Sequence, residues 1–155
     1  MISHTTRLGL ALALTLASLS AQAGVNIQHW TTANGAKVFL VESRALPIVD
    51  VQVDFRAAGS EVPPGKAGLA GLTRGLLDAG AGSLDEEAIA NRVADLGAQV
   101  SGSADMDRAS VSLRTLSSPP ERDGAVSLLA TLIQQPTFPE AALEREKARG
   151  IAGLK

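Results

Sequence analysis

A soluble domain of mixed α and β structure is predicted by three features of this 155-residue sequence. Val49, Val51, Val53 and Phe55 alternate with Asp50, Gln52, Asp54 and Arg56, the period of a strand with one wet face. Leu69, Leu72 and Leu76 recur at offsets of three and four, which makes one apolar helical stripe. Asn34-Gly35 stands between two strand-like runs, Ile27 to Thr31 and Ala36 to Glu42, and this dipeptide tolerates the positive φ of hairpin turns. The 14 basic and 16 acidic residues give a formal net charge of -2 and are mixed along the chain, so nothing draws it to nucleic acid or an anionic membrane.

Taken from the start, residues 1–23 read as a cleavable signal peptide. Arg7 precedes an apolar run from Leu8 to Leu19, and Ala21-Gln22-Ala23 offers the small residues a signal peptidase needs. The run is too short and too poorly flanked to span a membrane. The mature chain is therefore expected to be residues 24–155, beginning at Gly24, as one exported domain, periplasmic or secreted. With no cysteine, its stability must come from packing rather than disulfides.

The hairpin around Asn34-Gly35 comes first, followed after Pro47 by a strand from Ile48 to Ala57. Gly59 to Gly65, with Pro63-Pro64, is a loop. A helix over Gly68 to Asp78 ends at a glycine-rich break, Gly80 to Gly82. Ser83-Leu84-Asp85-Glu86 has the form of a capping box, so a helix is expected to start at Ser83 and bury Ile89, Val93 and Leu96, with Gly97 as its left-handed stop. Gln99 to Ala104 and Arg108 to Leu116 are expected to pair around Asp105-Met106-Asp107. Ser118-Pro119-Pro120-Glu121 opens a helix carrying Val126, Leu129 and Ile133. Pro136 then forces a turn, and a charged helix runs from Pro139 through Lys155 without a glycine-type stop after Leu154. That last feature leads us to expect a chain truncated at its C-terminal end.

Catalytic constellations are scarce. Zinc hydrolysis needs three protein ligands and an open position, but His29 is the one histidine beyond the signal segment, and beside Trp30 in a strand it reads as a pairing residue. Ser101, Ser103, Ser110, Ser112, Ser117 and Ser118 lack the strand-to-helix elbow of a nucleophilic serine and read as strand exteriors and caps. Gly80-Ala81-Gly82 follows a helix and lacks the Lys-Ser/Thr of a phosphate loop. Trp30, Phe39, Phe55 and Phe138 are too few to build stacking platforms. In the first helix Gly68, Gly71 and Gly75 each cost about 1 kcal/mol relative to alanine. Gly71 and Gly75 share a face, which leads us to expect a neighbouring backbone pressed against them.

That helix, with its surroundings, resembles the zinc helix of the insulinase (pitrilysin, mitochondrial processing peptidase) family, whose inverted motif is His-x-x-Glu-His. Gly59-Ser60-Glu61 follows an alternating strand, and Gly68-Leu69-Ala70 stands where the family leads into its first histidine. In this register Gly71 replaces the first histidine, Arg74 the general-base glutamate and Gly75 the second histidine. Leu96-Gly97-Ala98, Pro136-Thr137-Phe138 and Glu146-Lys147 continue the family pattern in order, and Gly153 falls where the third ligand, a glutamate, would stand.

The resemblance implies an α+β fold, a largely antiparallel sheet with helices packed on one face, incomplete at its C-terminal end. It also implies a catalytically inactive member without zinc, paired with an active family subunit and helping to bind or enclose unfolded peptide. The family's substrate-side strand maps onto Ser101, Gly102, Ser103 and Ala104, with Ser101-Gly102 in place of the family's Asn-Ala. The alternative is a metallopeptidase active only with ligands from a partner or a missing segment.

Overall fold

The computed structural model describes residues 25–57 and 59–153. The expected signal peptide, and residues 154 and 155 of the expected last helix, lie outside them. Contacts divide the chain into two compact units, one up to Ala45 and one from Leu46 onward.

In the first unit the expected hairpin is present. Strand β1 (Ile27–Thr31) pairs antiparallel with β2 (Lys37–Val41), a register that sets His29 opposite Phe39. The turn closes on Thr32, whose amide donates to the Ala36 carbonyl at 2.9 Å while its carbonyl accepts from Gly35. His29 is exposed and stacks on Phe39 with ring centroids 6.3 Å apart, a cross-strand pairing role.

The second unit is built on a three-stranded antiparallel sheet. Strand β3 (Ile48–Phe55) and strand β6 (Gln99–Ala104) flank a central β7 (Ala109–Leu116). Val51, Leu113 and Val100 lie side by side, as do Val53, Val111 and Gly102, so the odd residues of β7 mark one apolar face. The opposite face carries Asp50, Arg114 and Gln99, then Gln52, Ser112 and Ser101, then Asp54, Ser110 and Ser103. Because side chains alternate at period two, the described helices that pack on this sheet meet its apolar face. Arg114 grips Asp50 across that wet face with Nε and Nη2 at 2.7 and 3.0 Å from the two carboxylate oxygens.

Between β3 and β6 the chain makes a 3-10 turn at Gly59–Glu61, helix α1 (Leu69–Gly75), a two-residue pair β4 (Gly80–Ala81) and β5 (Leu84–Asp85), and helix α2 (Glu86–Asp95). The glycine-rich break is therefore part strand, Gly80 and Ala81, and part turn at Gly82, with Ala81 also bridging Pro136. The capping box at Ser83 is not formed: Asp85 is the cap, accepting from the Ala88 amide at 2.8 Å, because Leu84 and Asp85 are already paired with β4. Gly97 does end the helix as expected. It sits at φ 56, where a Cβ would be strained, and the Ala98 amide donates to the Val93 carbonyl at 3.0 Å.

Helix α3 (Pro119–Gln134) buries Ala125, Leu128, Leu129 and Leu132. Val126, expected inside, is 42% exposed. Both stripes have helical spacing, and the structure selects the one whose alanine lets α3 close on the sheet. Ala125 and Leu129 meet Val111 and Leu113, while Leu128 and Leu132 meet Ala81 and Ile89 of α2.

The last described helix, α4 (Glu140–Ala152), has Gly153 at its C-cap, where the amide still donates to the Arg149 carbonyl at 3.1 Å; the continuation expected through Lys155 lies outside the described residues. A cluster of Leu76, Ala79 and Ala142 joins α4 to the C-terminal end of α1. Burying a leucine contributes about 1.5–3 kcal/mol. The exposed Arg145–Glu86 ion pair at 2.8 Å, linking α4 to α2, belongs to a class worth about 0–1 kcal/mol, so packing holds α4 in place.

Candidate functional site

Helix α1 is short because of its own sequence. Gly68 enters it at φ 87 with no side-chain cap, and the helix gives way to turns after Gly75. Its N-terminal leucine, expected in the core stripe, is 44% exposed, while Leu76 is 3% exposed. The helix is thus anchored at its C-terminal end, where Leu76 meets α4, and lies across β6 and β7 on the apolar face of the sheet.

This placement brings together the two segments singled out in the sequence. Gly71 and Ala104 line one cavity of about 600 Å³, together with the Val62–Gly65 loop and the Asp105-Met106 turn. Arg74 lies over Gly102. A Cβ on Gly102 would collide with Arg74 Nε and with the Ser110 carbonyl, so the missing side chain is what makes room for the guanidinium. Arg74 Nε is itself buried and has no hydrogen-bond partner among the described residues.

The backbone approach expected at Gly71 and Gly75 is absent. Both are exposed, and an added Cβ would meet nothing within 4 Å at either position. The two glycines therefore present bare helix backbone to open space. Gly153 is carried by α4, which packs on α1, so the helices bearing the four mapped positions are neighbours.

The donor set does not fit zinc. Glycine has no side-chain donor, and the cation of Arg74 would repel a metal held on the adjoining turn. Among the described residues, no group of three or more His, Cys, Asp or Glu could hold a metal ion.

Ser101, Gly102, Ser103 and Ala104 lie on β6, an edge of its sheet. The Asp105 amide donates to the Arg108 carbonyl at 2.9 Å. In an antiparallel ladder the bonding direction alternates, so the Ser101 and Ser103 amides face β7 while those of Gly102 and Ala104 face outward. Ser103 and Ser110 also share a hydroxyl contact at 3.2 Å. The turn beyond is tied by its own carboxylate: Asp105 accepts from the amides of Asp107 and Arg108 at 2.8 and 2.9 Å, and these bonds hold its pKa below the usual aspartate value.

Sequence reasoning missed the role of Gly102 as the seat of Arg74. The signal was a glycine inside a strand pattern, which often marks a close approach. It also missed a second cavity of about 350 Å³, lined by Phe55, Val62, Leu69, Arg74, Val111 and Ile133 among others.

The second unit thus sets the open edge of β6 beside a helix with no metal donor at Gly71 or Gly75. The chain is similar in structure to the peptidase M16 inactive domain from Pseudomonas fluorescens, with a TM-score of 0.78 and 40% identity, over 83% of this chain and 31% of that one. A protease from Helicobacter pylori has the same fold, with a TM-score of 0.67 at 18% identity over 77% of this chain and 28% of its own. The chain belongs to the insulinase (M16 peptidase) family, and the register expected from the sequence sets Gly71, Arg74 and Gly75 at the family's His-x-x-Glu-His positions. It spans about a third of the length of these relatives. No family model matches it, and no curated protein does.

Proposed function

We propose that this protein is a non-catalytic insulinase-family domain that is exported by its N-terminal signal, pairs with an active zinc-bearing relative, and helps bind or enclose peptide substrate. The observation that carries the reading is the combination at α1 and β6: no metal donor at the mapped positions, beside a strand edge with outward amides. Adding a peptide as a strand uses main-chain hydrogen bonds and needs no metal, so the binding half of the family's chemistry can outlive the catalytic half. Similarity to an M16 inactive domain supports it as well.

The pairing is tested by pull-down of the tagged chain from the native periplasm. Recovery of a relative with an intact His-x-x-Glu-His motif is the expected result. A pull-down that consistently returns no such subunit removes the pairing from the proposal.

A further inference from the structure

We infer that the smaller cavity beneath α1 receives the C-terminal residue of a bound peptide, an apolar side chain entering the cavity and its α-carboxylate pairing with Arg74. This rests on the peptide-binding reading above and adds a substrate class to it.

The cavity, about 350 Å³, is walled by Phe55 at the end of β3, Val62, Leu69, Val111 and Ile133, with Arg74 as its cation. Its size falls at the lower end of small-ligand sites, and it shares the pattern of apolar walls with few polar groups. Arg74 is half-buried, with Nε enclosed against Gly102 and unpartnered among the described residues. Burial falls on Nε alone, and the two terminal nitrogens remain to donate to a carboxylate, which a guanidinium binds with charge-assisted hydrogen bonds. The carboxylate in the same lining does not serve. Glu61 is exposed at the rim and lies 4.0 Å from Arg56.

Charge therefore selects a carboxylate, and the walls select the apolar group attached to it. A terminal residue carries both on one Cα, and Arg74, which rests on Gly102 of β6, lines the cavity where that residue would sit.

Fluorescence anisotropy of the purified chain with labelled Ala-Ala-Ala-Leu, as free acid and as C-terminal amide, tests this. The free acid is expected to bind at least tenfold more tightly. Arg74→Met, which keeps the apolar stem, is expected to remove the difference, and a cooperative melt checks that the variant folds. Glu61→Gln, relieving repulsion at the rim, is expected to tighten the free acid severalfold. Equal binding of acid and amide overturns the inference and leaves the peptide reading standing. Failure of both probes, and of longer unfolded peptides, overturns both. A preference for the acid that persists in both Arg74→Met and Gly102→Ala, which would displace the guanidinium, also overturns the inference.

Discussion

Gly71 and Gly75 weaken α1 without any packing gain, since nothing stands where their Cβ atoms would be. Gly71→Ala is therefore expected to raise stability by about 0.5–1 kcal/mol, mainly by restricting the unfolded chain, as read from chemical denaturation. A loss of stability would mean that something does press on that face. The Asp105 carboxylate gives a second prediction. Its two amide bonds depress its folded pKa below the unfolded value of about 3.9, so its contribution is present above that value and is lost as pH falls through the lower folded pKa. Melts from pH 7 to pH 2 should show the native chain losing stability over the acid end more steeply than Asp105→Asn, and equal slopes would exclude this carboxylate as a source. At this scale the sequence disclosed identities but not contacts. That Arg74 falls at the expected general-base position is a matter of spacing within one helix. That it rests on Gly102 depends on how α1 lies across β6, which no local pattern encodes.

Among the elements, β6 is where function can be separated from folding. Because the Ala104 amide faces away from β7, Ala104→Pro should remove one outward donor while sparing the ladder, and proline is tolerated at such edges. Peptide affinity is expected to fall severalfold with little change in melting temperature. Unchanged affinity would show that peptides do not add at this edge. Strand and helix types were legible wherever one physical period dominated, as in the alternation of β3 or the Leu-based stripe of α1. They were not legible where two patterns fit equally. Val126 and Ala125 both begin acceptable apolar stripes, and the choice fell to the smaller side chain because α3 must approach β7 closely. The cap of α2 moved two residues, from Ser83 to Asp85, because tertiary pairing of Leu84 and Asp85 overrode a local capping signal.

For the whole molecule, the family was legible because several short matches fell in one order along the chain, although none would suffice alone. The helices at the site are assembled by apolar packing, as the Leu76, Ala79 and Ala142 cluster illustrates, so the frame persists while its chemical positions change. Purified protein is accordingly expected to carry no stoichiometric zinc by elemental analysis and to cleave no peptide on its own. Tightly bound zinc together with cleavage by this chain alone would end the non-catalytic reading.

The sheet of the second unit has a further consequence in its two unlike margins. β6 offers serine and glycine, whereas β3 offers Val49, Val51 and Val53 in regular alternation, at the other side of β7. Valine-rich borders recruit other chains by self-templated growth, and serine-rich ones do so poorly. Concentrated solutions should therefore lose protein to precipitation through β3, and a lysine at Val49 should slow that loss while leaving the serine-rich border untouched.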